Sequence, residues 1–404
     1  MVNNKEKLLI VTRSTVYHNK SGGLETQLNN LVEYLKDYFD ITILTTAYPY
    51  KKTPPKINQT KILRGVKYIF LKNSVPGEYG FTLYESLFWQ VPFKHNIKSL
   101  NTNFRKQASL YYDKYLKKGF KVILSQSSSA QNFNIDTHQK LILINHGTSL
   151  NEIKNRYNSV KGLKHFIRFL LLDLPVLVIE ACVNNPILFK KAFKIVLISN
   201  RLKKDFEKQH KIFVPKTVVI PNGINTNVFK PLNKNDSFTV VYVGRIDYEK
   251  GLDNFISVAK NLPKIRFEIY GDGPDSRDIK NQTPSVKNII YKGSVSNKEI
   301  AKVFGTSHVF LFLTKRKEGM PMTILESLSS GCVVVTTLKD SSISGKNGYF
   351  NIDNVKKATN KIEYLYKNYK EYAKLSTQSK LYATSNYDYR VMGASYLHLL
   401  KKLY

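Results

Sequence analysis

The chain has 404 residues, 42% hydrophobic and 12% aromatic, which is enough apolar material for two or three packed domains and argues against a disordered protein. Lysine and arginine number 63 against 30 acidic residues, a formal charge of +33 that leans toward residues 1–220. That field suits an anionic partner (nucleic acid, an acidic membrane surface or a phosphorylated ligand), the alternative being a Lys- and Asn-rich background that only keeps the chain soluble. Cys182 and Cys332 lie in apolar runs with no metal-ligand spacing and read as buried thiols in a reducing compartment.

In chain order, Met1 to Lys7 is polar and Leu8 to Val11 is too short for a signal core, so no signal peptide is expected. A strand is predicted at Leu8–Thr12. The loop Ser21-Gly22-Gly23 follows, and then a helix over Leu24–Tyr38 with Leu24, Leu28, Leu31, Val32 and Leu35 at helical spacing. A strand at Ile41–Thr45 completes a βαβ opening, which implies a parallel sheet. Tyr68–Leu71, Val122–Ser125, Leu141–Asn145 and Ile195–Ser199 read as further strands. The most apolar stretch, Phe166 to Val183, contains Arg168, Asp173, Pro175 and Glu180, so it makes a poor spanning helix and is predicted as a helix pair broken at Pro175, buried or docked on a surface. After Val218–Ile220, the polar segment 230–236 reads as a linker. A second βα alternation places strands at Thr239–Val243, Arg266–Tyr270, Asn288–Tyr291, Val309–Leu313 and Val333–Thr336, and an amphipathic helix with a basic end covers Tyr387–Tyr404. The fold class is α/β: two Rossmann-like, doubly wound domains over residues 1–222 and 223–385, facing across a cleft. Ligands of such sheets sit beyond the carboxyl ends of the strands.

The chemistry-bearing motifs fall at those ends. Val243-Gly244-Arg245 ends a strand, and Lys250-Gly251 precedes a helix five residues on. The glycine gives room, and Arg245 and Lys250 can converge on one anion next to a helix N-terminus, as a diphosphate clamp. The alternative is a solvated turn with two surface cations. Tyr270-Gly271-Asp272-Gly273-Pro274 is a tight turn at another strand end, and the loop through Lys292-Gly293-Ser294-Val295 suits a backbone that reads a base edge. Glu318 stands before a helix started by Gly319-Met320-Pro321, where the N–H groups of Met320 and Met322 would be free to meet phosphate or sugar oxygens. Glu326, flanked by Leu325 and Leu328 inside that helix, should be partly buried. A buried unpaired carboxylate is costly, and either a pair of ribose hydroxyls or a cation across the core would satisfy it. In the first half, Ser21 to Glu25 forms a loop into a helix N-terminus without the third glycine of a dinucleotide fingerprint, and Asn145-His146-Gly147 puts an imidazole at the cleft edge.

Taken together, Gly22-Gly23, His146-Gly147, Ile198-Ser199, the run Ile220 to Ile224, Val243 to Ile246 with Lys250-Gly251, Gly271 to Pro274, and Glu318 and Glu326 in Glu-x7-Glu spacing before Gly331 resemble the retaining glycosyltransferases of family four, over about residues 8–350. The resemblance implies a GT-B fold whose C-terminal helix, about 386–404, returns to the first, acceptor-side domain. It implies a nucleotide-sugar donor held mainly by the second domain: Gly244, Arg245 and Lys250 at the diphosphate, Glu326 at the ribose, Val295 near the base, and Glu318, Gly319, Met320 and Pro321 around the donor sugar and its phosphates. Gly22 and Gly23 would close over the phosphates, and His146 would stand by the sugar and the acceptor. No cofactor and no metal are implied, the acceptor being a glycan or a membrane-proximal lipid-linked glycan. The setting expected is cytoplasmic, with peripheral attachment to an anionic membrane face through the basic, apolar segment from Lys161 to Lys194. Two departures from the family pattern are the short loop Leu338 to Ser344, which lacks the usual Gly-Gly and acid, and Ser327 in place of a small Ala. A nucleic-acid-binding protein is the reading from a different class; only charge supports it, with no zinc spacing or basic-aromatic sheet motif. A phosphorylase on the same fold would need a pyridoxal-bearing lysine in an apolar pocket, and no persuasive candidate stands out.

Overall fold

Two parallel sheets organise the chain. The structure, a computed structural model, describes residues 5–18, 22–47, 59–71, 97–160, 162–340, 342–343 and 345–404, with the backbone alone over 97–103. Ser21, Lys161, Ser341 and Ser344, which belong to the loop and segment readings above, lie outside the described residues.

The first sheet contains β1 (Glu6–Val11), β2 (Phe39–Thr46), β3 (Gln59–Leu63), β4 (Val66–Leu71), β5 (Val122–Gln126), β6 (Lys140–Asn145), β7 (Lys194–Leu197) and β8 (Thr217–Val219), in the order β3-β4-β2-β1-β5-β6-β7-β8. Leu8 to Val11 and Val122 to Leu124 are fully buried, as continuous apolar strands are when helices cover both faces. The hairpin β3–β4 is the antiparallel pair at its edge. Its turn, Arg64-Gly65, holds both residues at positive φ, +52° and +79°, matching the twist of a two-residue hairpin. Strand β3 is polar and half-exposed, so it carries no apolar signal to read from sequence.

The second sheet contains β9 (Thr239–Val243), β10 (Arg266–Tyr270), β11 (Ile289–Gly293), β12 (Val309–Phe312), β13 (Val333–Thr336) and β14 (Tyr349–Asn351), in the order β11-β10-β9-β12-β13-β14 and parallel throughout. The strand order reverses between β9 and β12, and in the first sheet between β1 and β5. Such reversals open a crevice at the carboxyl ends of the strands.

Two separate cores result. Ile220 packs in the first and Ile224 in the second, so the chain crosses between domains at 221–223. It crosses back at Asp388, between the helices Tyr369–Tyr387 and Tyr389–Lys401, and Met392, Tyr396 and Leu400 of the latter complete the first core against the helix Gly23–Leu35. The crossings lie side by side: Ile224 N–H donates to Tyr387 O and Tyr389 N–H to Ile224 O, both at 2.8 Å. A Cβ on Gly223 would fall 2.7 Å from Tyr389 Cα, so only glycine lets the two strands of chain pass this closely.

Three expectations need correction. Residues 230–236 are not a free linker. Leu232 and Asn235 donate backbone bonds to Gly305 and Thr306, and Lys234 Nζ donates to Ser307 O and Ser330 O, which fastens the segment to the second domain. The chain does not break at Pro175: helix continues from Gly162 to Lys191, with Pro175 and Pro186 each just after a π-helical segment, Phe169–Asp173 and Glu180–Asn184. A wider turn relieves the clash between a proline ring and the carbonyl four residues earlier, which is what would otherwise break the helix. Finally, Cys332 is buried but Cys182, on that helical run, is exposed, because the run turns one apolar face outward.

Candidate active site

The second domain supplies one wall from three loops stitched together past the strand ends. Beyond β9, Ile246 N–H donates to Asp272 O; beyond β10, Gly271 N–H donates to Gly293 O; and Tyr291 hydroxyl donates to Gly271 O. Asp247 caps the short turn Tyr248–Lys250 with its side chain. Gly251 follows at φ +73°, where a Cβ would lie 1.9 Å from Leu313 O, so the turn can press against the end of β12 only as glycine. This contact aims Lys250 across the strand ends: its Nζ donates to Glu318 Oε1 at 2.5 Å. Arg245 is 60% exposed on its side chain and lies 3.5 Å from Asp247; no described contact joins it to Lys250. Val295 is half-buried in the loop after β11, directly before Ser296, which caps the helix Asn297–Thr306.

The segment after β12 is the centre of the arrangement. Thr314 Oγ1 and Lys315 N–H both donate to Glu249 O, so this loop rests on the Tyr248–Lys250 turn. The helix Met322–Ser329 follows, with Pro321 as its N-cap. Neither the Met320 nor the Met322 N–H has an acceptor among the described residues, so two donors stay open at the positive end of the helix dipole. Glu326 is 8% exposed, and its carboxylate has no hydrogen-bond or ion-pair partner among the described residues; the alternative of a cation across the core is not met. Burial pushes its pKa up to about 7.

The first domain closes on the same segment. A Cβ on Gly319 would lie 2.8 Å from His146 O, and Ser199 Oγ donates to Gly319 O at 3.2 Å. A Cβ on Gly23, at the start of the helix Gly23–Leu35, would lie 3.1 Å from Met322 Cγ, while Gly22 N–H is taken by Glu25 Oε2 at 2.7 Å. His146 Nε2 stands 2.6 Å from Gln126 Oε1, whose amide nitrogen in turn donates to Gln27 Oε1. That chain assigns the ring proton to Nε2. Burial lowers the imidazole pKa to about 4, so at neutral pH His146 is an uncharged hydrogen-bonding group. Contacts thus link His146 to Gly319, Lys250 to Glu318 and Gly23 to Met322 along one segment, while no described contact joins Arg245 or Val295 to these residues.

Sequence reading missed Arg316. Its guanidinium donates to Glu249 Oε2 and to Glu152 Oε2, both at 2.7 Å, and its Nε lies 4.0 Å from Glu318 Oε1. Burial alone would lower its pKa, but Glu152, Glu318 and Glu249 more than offset this and hold it firmly charged. Glu152 belongs to the first domain, so Arg316 ties the two walls. Asn155 reinforces the tie, accepting from Lys317 N–H at 2.8 Å and donating to Lys317 O at 3.2 Å. Lys315-Arg316-Lys317 directly before Glu318 was the available signal, hidden by the general abundance of basic residues. Among the described residues no cluster of His, Cys, Asp or Glu is arranged to hold a metal ion.

Residues 224–382 match the family described as glycosyl transferases group 1. Among curated proteins, the chain is 31% identical over 134 residues to the phosphatidylinositol N-acetylglucosaminyltransferase gpi3 subunit of Schizosaccharomyces pombe, covering 30% of this chain and 29% of that protein. The matched stretches span about a third or less of the first such relatives. Among solved structures, sucrose-phosphate synthase from Thermosynechococcus elongatus superposes with a TM-score of 0.74 at 15% identity, covering 99% of both chains. Anabaena HepE in complex with UDP-glucose gives a TM-score of 0.66 at 14% identity, covering 98% of this chain and 99% of that one.

Proposed function

The chain has the GT-B fold and carries a group 1 glycosyl transferase domain over residues 224–382, and from that premise we propose that it is a retaining, metal-independent glycosyltransferase that moves a sugar from a nucleotide-sugar donor to a hydroxyl of a lipid-linked or other membrane-proximal acceptor. The observation that carries this reading is Glu326: a residue 8% exposed whose carboxylate has no partner among the described residues, pKa raised, in the helix that opens with the Met320 and Met322 N–H groups, which also have no acceptor among them. A pair of ribose hydroxyls donating to that carboxylate removes the cost of burying it alone. The bound UDP-glucose of HepE, on the same fold, supports a nucleotide sugar as the class of donor.

The remaining roles follow from charge. Arg245 and Lys250 hold the diphosphate, whose growing charge as the sugar departs is the main thing to stabilise. Lys250 is paired with Glu318 before the donor arrives. Turning the lysine to the diphosphate frees the Glu318 carboxylate for the sugar hydroxyls. The Met320 and Met322 N–H groups and the Gly22-Gly23 loop close on the phosphates, and Val295 lies near the base. The acceptor hydroxyl attacks from the face the diphosphate leaves, and the departing phosphate takes its proton. His146, uncharged, accepts or donates a hydrogen bond beside the sugar rather than supplying a proton.

The membrane part of the proposal rests on the run 162–191. Leu163, Ile167, Leu171, Val178, Val183 and Ile187 are exposed along it, with Lys164, Lys190 and Lys191 exposed at its ends. No described helix is long and apolar enough to cross a membrane. Apolar side chains between basic ends suit shallow insertion into an anionic interface on the cytoplasmic side. The fission-yeast relative is named for phosphatidylinositol, which accords with a lipid substrate.

A panel of nucleotide sugars, scored for binding by thermal shift and for hydrolysis, tests the donor. Stabilisation by one nucleoside diphosphate and not by oligonucleotides is expected; stabilisation by oligonucleotides alone would favour nucleic-acid binding instead.

A further inference from the structure

Beside His146, in the first domain, lies a pocket of about 280 Å³ at the carboxyl ends of β5 and β6, roofed by the helical run 162–191. The inner side of this roof is apolar, made by Leu177, Leu188 and Phe189, all buried. Its charged lining is already neutralised. Arg105 is paired with Glu180 at 2.8 Å, and Glu152 with Arg156 at 3.1 Å and with Arg316 across the cleft at 2.7 Å. The uncharged polar lining is not satisfied: the Ser127 hydroxyl, the Asn145 amide nitrogen and the Asn185 amide oxygen make no hydrogen bond within the chain among the described residues. Ser127 is held at φ +50°, a left-handed conformation uncommon for a residue other than glycine, and strain of this kind concentrates at ligand sites.

A phosphate would find no spare cation here, and an alkyl chain would leave the amides and hydroxyl unpaired. A polyhydroxylated six-membered ring fits both halves, laying its C–H face on Leu177, Leu188 and Phe189 and its hydroxyls against Ser127, Asn145 and Asn185. The volume is at the small end for ligand pockets and suits a single ring. Asn145 adjoins His146, and Glu152 on the rim is bonded to Arg316 next to Glu318, so a ring held here borders the donor site. We propose that this pocket is the acceptor-ring site and that the acceptor presents an uncharged sugar or cyclitol ring, its lipid portion lying along the outward apolar face of the roof helix. The proposal rests on the glycosyltransferase reading above and adds the class of acceptor.

The test uses the full chain with methyl pyranosides and free inositol as ring probes and octyl phosphate as a ringless anion. Binding is followed by saturation-transfer NMR and, with the donor present, by transfer kinetics. Asn145→Ala, and Val176→Phe to fill the pocket, are expected to raise KM for the accepted ring about tenfold, the scale of one lost hydrogen bond to a ligand. Nucleoside diphosphate affinity and donor hydrolysis by water should stay unchanged in both. Should the filled variant fail to fold, Ser127→Gly, which keeps the backbone angle and deletes the hydroxyl, takes its place. Unchanged KM in these variants, or octyl phosphate displacing the rings, overturns the pocket. A wild-type chain that neither binds nor hydrolyses any nucleotide sugar overturns the function instead, and the NMR arm still decides whether rings bind here.

Discussion

The two domains share an α/β layering but turn opposite chemistries toward the cleft. The second presents interlocked charge: Lys250 on Glu318, Arg316 on Glu249, and one buried carboxylate, Glu326, left open. The first presents neutral amides and hydroxyls beside a helical run whose inner side is apolar and buried and whose far side is apolar and exposed. Charge that must be stabilised as a bond breaks calls for groups fixed in advance, since preorganised dipoles and ions need no rearrangement at the moment of reaction. Recognition of an uncharged ring calls for shape and unpaired hydrogen-bonding groups, which cost little while water can still reach them. The Arg316–Glu152 bond is where the two chemistries meet.

If charge in the second domain carries the reaction, the largest loss comes from removing it. Lys250→Ala and Arg245→Ala should each lower kcat by about 100-fold or more, measured as transfer or as donor hydrolysis. Near-normal turnover in both would put the reacting centre elsewhere.

Next in size is Glu326→Gln, which should weaken nucleoside diphosphate binding by about 10- to 100-fold, the range for a hydrogen bond to a charged group. It also has a pH signature. The folded pKa is about 7 against an ordinary 4.5, so between these values the folded chain holds a proton that the unfolded chain has lost. Stability therefore falls as pH rises from 4.5 to 7 and levels above it, by at most about 3 kcal/mol from this group. Denaturation at pH 5 and pH 8 should show that slope in the wild type and not in Glu326→Gln. Calorimetry in buffers of different ionisation heat should show proton release on nucleotide binding near pH 7, because ribose hydroxyls favour the ionised carboxylate.

A smaller effect, confined to the first domain, is expected from Ile167→Glu combined with Leu171→Glu. Flotation with anionic liposomes should fall several-fold, while nucleotide affinity stays unchanged and stability moves by no more than about 0.5 kcal/mol, as for exposed positions generally. Equal flotation of wild type and variant would remove the membrane from the comparison.

The smallest signal concerns His146. With its pKa near 4, it should contribute no inflection to the pH–rate profile between 6 and 8. An inflection near 7 should persist in His146→Asn and vanish in Glu326→Gln; loss of it in His146→Asn would show that the imidazole titrates there after all.

Most of the second domain could be read in advance, because its strands are short apolar runs, with β9, β10 and β11 closing on Gly244, Gly271 and Gly293. Thr239–Val243, Arg266–Tyr270 and Val333–Thr336 match their predicted bounds, and the two acids of the Glu-x7-Glu spacing lie where a turn and a helix put them. The first domain was less legible where local cues mislead. Strand β3 is polar because one edge faces water, and Pro175 suggests a break that a π segment absorbs. In the second domain, residues 230–236 look like a linker because their bonds are made mostly by backbone groups, with Lys234 and Asn235 side chains, which leave no pattern in sequence.

By itself the sequence determined the alternation of elements, the glycine turns at strand ends and the residue types gathered there, since propensity, periodicity and turn chemistry are local. Only the tertiary structure decided which charges are paired, which carboxylate is left alone, and which loops of the first domain rest on the segment 319–322. Lys250 and Glu318 are 68 positions apart and Glu152 and Arg316 are 164 apart. No local pattern encodes such a meeting, because it depends on how two separately built sheets are set against each other.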